Sequence, residues 1–120
     1  MKNSIFYISI LALIIFSACT KADESDQKNV GTLTMPIASF SYSANEGPSV
    51  VEVTFINSSE YSDQFLWTFH NGSTSTAFSP SFTYARTAED ETYLVILKAT
   101  DTNTGENNTR SKSVLIKASK

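Results

Sequence analysis

Residues 64–72 read Gln64-Phe65-Leu66-Trp67-Thr68-Phe69-His70-Asn71-Gly72, and this stretch decides the fold. Phe65, Trp67 and Phe69 recur at every second position. Alternation with period two marks a strand that buries one side. The run ends in Asn71-Gly72, two residues that tolerate the positive φ of a tight hairpin. A strand that carries the single tryptophan and runs into a hairpin predicts a β-rich domain centred on Trp67.

Working outward, the same periodicity continues on both sides, and no stretch carries a helical stripe. Ile37–Ser43 predicts a first strand, with Phe40 and Tyr42 between serines, closed by the turn cluster Asn45-Glu46-Gly47-Pro48. Val50–Asn57 predicts a second, with Val51, Val53 and Phe55 inward, and Gln64–His70 is the third. Short extended pieces follow near Ser75–Phe78 and Ser81–Tyr84, separated by Pro80. Thr92–Thr100 predicts a long strand facing Tyr93, Val95, Leu97 and Ala99 inward. A turn-rich loop over Asp101–Asn108 then leads to a last strand, Arg110–Lys117, carrying Val114 and Ile116. About seven short strands with turn signals between them predict an all-β, immunoglobulin-like sandwich. A closed barrel of similar strand number is the structural alternative. Roughly 80 residues hold such a core with little to spare.

Composition narrows the function classes. The chain has 120 residues, one Cys, one His and a formal net charge of −3. That length excludes a large barrel or a doubly wound nucleotide domain. One Cys excludes an internal disulfide and a cysteine-rich metal site. One His excludes a two-histidine metal motif. The pI near 5.0 and the scattered basic residues argue against nucleic acid as a partner. No cofactor motif and no catalytic motif such as Gly-x-Ser-x-Gly occurs. His70, with Thr68 and Ser73 nearby in sequence, reads as a structural histidine rather than a catalytic one. Glu89-Asp90-Glu91 reads as a solvated loop. Asp101–Glu106 misses the spacing of a calcium loop, so no metal site is expected.

The N-terminus carries an address. Met1-Lys2-Asn3 is a short cationic start, Ile5–Phe16 is almost wholly apolar, and Ser17-Ala18 precede Cys19. That order is a secretory signal, and its apolar run is too short for the roughly 20 residues of a membrane-spanning helix. Phe16-Ser17-Ala18-Cys19 resembles the bacterial lipobox, with Phe16 where the usual residue is Leu. The resemblance implies cleavage before Cys19 and its modification with acyl chains such as palmitate. Stable anchoring requires more than one chain. The expected organisation is therefore a signal over 1–18, a lipidated Cys19 and polar tether over 19–35, and one domain over 36–120. A flexible tether of this length spans on the order of 20–25 Å. Asp23, Glu24 and Asp26 look like the acidic signal that sends some Gram-negative lipoproteins to the outer face of the outer membrane. They read equally as a solvated linker.

A second resemblance covers Ala38–Lys117, which is similar to the polycystic-kidney-disease (PKD) domain, an immunoglobulin-like sandwich of about this size. The family's central Trp-Asp-Phe-Gly-Asp-Gly corresponds to Trp67-Thr68-Phe69-His70-Asn71-Gly72. Ala38-Ser39-Phe40-Ser41, Val53–Ser59, Ser79–Tyr84 and Tyr93-x-Val95-x-Leu97 follow in matching order. Trp67, Phe69, Asn71 and Gly72 are then structural motif residues. Thr68 and Asn71 stand where the family has aspartates, and Phe82 stands where it has His. Those exchanges leave the fold expectation intact and remove the acids that a cation near the motif would need.

Strand parity supplies the candidate binding surface. With Trp67, Tyr93, Val95, Leu97 and Val114/Ile116 inward, Leu66, Leu94, Ile96 and Leu115 point outward from three strands that lie side by side in such a sandwich. A contiguous apolar surface marks contact sites, whereas scattered surface aliphatics carry no such meaning. Tyr42, Tyr61 and Tyr84 are the aromatic candidates for stacking on sugars. The expected activity is non-catalytic: protein binding, adhesion or spacing at the cell surface. The alternative is a carbohydrate-binding accessory of a polysaccharide-processing system.

Overall fold

The computed structural model describes Thr34–Lys120. The predicted signal, Cys19 and the tether as far as residue 33 lie outside the described residues. Within them, seven strands form two antiparallel sheets: β1 (Phe40–Glu46), β2 (Val50–Asn57), β3 (Gln64–Thr68), β4 (Thr74–Ser75), β5 (Ser81–Ala85), β6 (Glu91–Thr100) and β7 (Asn107–Ile116). One sheet has the order β1-β2-β5 and the other β4-β3-β6-β7. The sandwich is open, so the barrel alternative falls away.

The inward faces meet as the alternation predicted. Val51, Val53 and Phe55 of β2 lie buried opposite Trp67, Val95, Leu97, Val114 and Ile116. Trp67 is fully buried, edge-on to Phe40 at 5.0 Å and 5.5 Å from Phe55. Its indole N–H donates to the Ala77 carbonyl at 2.9 Å, so the one polar atom of the ring is satisfied.

Boundaries differ from the sequence expectation where tertiary contacts take over. The first strand begins at Phe40 rather than Ile37, because Ile37 exchanges backbone hydrogen bonds with Glu60 and the Ala38 N–H donates to Asn108 Oδ1. Ile37 is consequently exposed, and Tyr42 is 38% exposed at the sheet edge. The strand runs on through Asn45 and Glu46, because the turn is tight: Gly47 N–H donates to the Val50 carbonyl at 2.9 Å. A Cβ at Gly47 would meet that same oxygen at 2.9 Å, which no side chain tolerates without a shift.

The third strand ends at Thr68, since the hairpin already begins at Phe69, where Phe69 N–H donates to the Ser73 carbonyl and its carbonyl accepts from Gly72 N–H. Of the Asn71-Gly72 pair only Gly72 adopts positive φ (83°). Asn71 acts through its side chain, whose Oδ1 accepts from the Ser73 N–H (3.0 Å) and hydroxyl (2.6 Å). The expected piece Ser75–Phe78 shrinks to Thr74–Ser75, because the chain leaves the sheet to present Ala77 to Trp67 and cross to β5. The last strand starts early, at Asn107, because β6 and β7 pair continuously from Thr100↔Asn107 to Glu91↔Ile116. It stops at Ile116, since the Lys117 carbonyl bonds to Arg86.

Candidate functional site

Register places the four predicted aliphatics on the outer face of the four-stranded sheet. Thr68 pairs with Ile96, Leu66 with Lys98, Leu94 with Ser113 and Thr92 with Leu115. Leu66, Ile96, Leu94 and Leu115 therefore occupy successive diagonal positions across β3, β6 and β7, within the reach of long side chains. Leu66, Leu94 and Leu115 are 40%, 48% and 48% exposed, and Ile96 is half-buried. Lys98 is the one charged residue among the outward positions of β3, β6 and β7.

The other candidates resolve differently. His70 is exposed at the hairpin, with its ring 4.3 Å from Tyr93, 5.4 Å from Tyr84 and 5.6 Å from Phe82. Its neighbours are aromatic rings, and the Ser73 hydroxyl is engaged with Asn71. The arrangement has no nucleophile held against the imidazole. Tyr84 is 2% exposed, so its face is unavailable to a sugar; it fills the inward side of β5, where alternation directs it. Tyr42 and Tyr61 are exposed, Tyr61 with a φ of 54°. The sequence reading missed Phe78, 58% exposed and edge-on to Phe65 at 5.2 Å. It falls after β4 has ended, where period-two patterning has nothing to say.

The acidic loops use their carboxylates as brackets. Asp63 accepts from the Thr102 N–H (2.9 Å) and from the Thr102 hydroxyl, and these two bonds, the hydroxyl first, hold its pKa below the ordinary carboxylate value. Asp90 is lowered chiefly by the Ala118 N–H, then by Lys117. Asp101 holds its own loop through Asn103 N–H and the Thr104 hydroxyl. No group of three or more His, Cys, Asp or Glu residues able to hold a metal occurs among the described residues.

Solved structures with a similar fold include two PKD domains. The PKD1 domain of Vibrio anguillarum Epp superposes with a TM-score of 0.56 at 27% identity, covering 71% of this chain and 96% of that one. The PKD1 domain from the Vibrio cholerae metalloprotease PrtV gives 0.56 at 28% identity, covering 71% of this chain and 100% of that one. The folded domain is PKD-like. No protein-family model matches the chain, and no curated protein matches it. The PKD-like domain keeps the Trp67 core and the Gly72 turn while carrying Thr68 and Asn71 at the motif's acidic positions. PKD domains are generally non-catalytic modules.

Proposed function

We propose that the chain is a lipid-anchored cell-envelope protein that displays one PKD-like sandwich for non-catalytic binding at the outer membrane. The observation that carries this reading is the position of the sole cysteine. Cys19 directly follows an apolar run and two small residues, and lies 15 residues before the first described residue of the sandwich, Thr34. The domain contains no cysteine of its own, so any thiol-linked lipid must sit at Cys19.

Cys19→Ser tests the anchor. The native chain partitions into the membrane fraction and the variant is released from it; a variant that stays membrane-bound ends the lipoprotein reading.

The aliphatic diagonal supports a protein contact on the same domain, because a contiguous exposed apolar surface favours association. Leu94→Thr together with Ile96→Thr removes its centre while placing β-branched residues suited to a strand at both positions. The double variant is expected to fold, with a small loss of stability due mainly to half-buried Ile96, and to lose crosslinked adducts formed on intact cells. Adducts that survive the double variant exclude this face.

A further inference from the structure

Three of the clefts in the described surface are told apart by their polar side chains. The largest, about 750 Å³, is lined by Glu46, Arg86, Asp90 and Lys117 among others. Four of its five charged side chains are already paired, Lys120 being the fifth. Arg86 donates to the Gly47, Lys117 and Ala118 carbonyls and to Glu46, and Lys117 pairs with Asp90. A second, about 300 Å³, lies by Tyr61 between Asp63 and Asp101, whose carboxylates hold neighbouring loop residues.

The third, about 180 Å³, is built differently. Gln64, Phe65, Leu66, Thr76, Lys98 and Thr100 line it. None of its four polar side chains hydrogen-bonds to another described residue. Register brings them together on the outer face: Gln64 lies opposite Thr100 and Leu66 opposite Lys98, in successive outward rows. Thr76 follows Ser75, which pairs with Trp67, so it flanks Leu66 from the far side. The cleft exists because β4 ends at Ser75 while β3 reaches back to Gln64.

We propose that this cleft binds a single carboxylate-bearing sugar residue, a uronic acid within an acidic polysaccharide. Lys98 is the only charged lining residue, and a carboxylate is its complement. One amide and two hydroxyls in adjacent rows offer donors and acceptors to a polyol. Leu66, outward and 40% exposed, gives an apolar wall for the C–H face of the ring. The volume falls below the ~300–1,000 Å³ of drug-sized ligand sites and suits one sugar ring. An acidic peptide side chain would use Lys98 and leave the other three polar groups unanswered. This inference rests on the reading of the domain as a non-catalytic binding module, and not on the lipid anchor.

The test uses the full chain in detergent, titrated by calorimetry with an oligogalacturonate, a cello-oligosaccharide of equal length and a glutamate-rich peptide. The oligogalacturonate binds at least tenfold more tightly than either comparison ligand, and added salt weakens it. Lys98→Gln, at an exposed position without a hydrogen-bond partner, melts like the native protein and binds the oligogalacturonate at least tenfold more weakly. Thr100→Val weakens it further. Absent oligogalacturonate binding, equal binding of the neutral sugar or the peptide, or indifference to Lys98→Gln overturns the proposal. Such a failure leaves Cys19-dependent fractionation and the Leu94/Ile96-dependent adducts as they were, so the two readings fail separately.

Discussion

Trp67→Ala is expected to destabilise the domain by about 3–5 kcal/mol, the cost of emptying a fully buried aromatic site. The indole stands where the two sheets meet, in contact with Phe40 of β1 and Phe55 of β2. Its removal leaves a void between layers that strand pairing holds in place and that cannot easily collapse. It also strips the Ala77 carbonyl of its donor. Domains of this kind are stable by only about 5–15 kcal/mol, so the variant sits near the folding threshold. The melting temperature should drop by roughly 15–30 °C at the slope usual for small domains. Urea melts followed by circular dichroism measure the loss. Trp67→Phe separates the two contributions, since it refills much of the volume and still lacks the N–H. A loss under about 1 kcal/mol for Trp67→Ala would mean that the core does not depend on this residue.

Trp67 also shows what one strand of sequence can disclose. Period-two alternation at Phe65, Trp67 and Phe69 is a local property, and burial on one face follows directly from it. The outward positions Leu66, Leu94, Ile96 and Leu115 were legible for the same reason, because inward and outward sets are complementary. Their arrangement as a diagonal depended on register, which the β6–β7 and β3–β6 pairings set and no local pattern encodes.

The misses share a cause. Ile37 carries a strand-like pattern, yet Glu60 captures its backbone and holds it outside the ladder. Phe78 and Ala77 lie in a crossing whose path answers to Trp67, ten residues earlier in the chain. Arg86 gathers carbonyls from Gly47, Lys117 and Ala118 at 31 to 39 residues' separation, a role invisible in the residues beside it. The small cleft depends on where β4 stops, and β4 is shortened by that same crossing. Surface chemistry in this domain is thus set by chain crossings and strand ends, while its core is set by alternation.

The second large effect is a loss of stability in alkali that depends on one phenol. Tyr84 is 2% exposed, stacked on Tyr93 at 4.8 Å, and its hydroxyl has no hydrogen-bond partner among the described residues. Burial, with a smaller contribution from repulsion by Tyr93, pushes its pKa up to about 12 from an ordinary 10.0. The phenolate is the disfavoured form, so above pH 10 the unfolded chain gives up this proton while the folded chain keeps it. Stability is therefore intact below pH 10 and falls as pH rises toward 12, by about 2–3 kcal/mol in all. Tyr84→Phe removes the titrating group and the unpaired hydroxyl together. It should match or exceed the native protein by about 1 kcal/mol at neutral pH, since an unpaired buried hydroxyl is a cost. The gap between the two proteins should then widen steadily from pH 10 upward. Urea melts of both across that range isolate the effect of Tyr84, because the two proteins differ only there. Parallel alkaline declines would assign the loss to other groups.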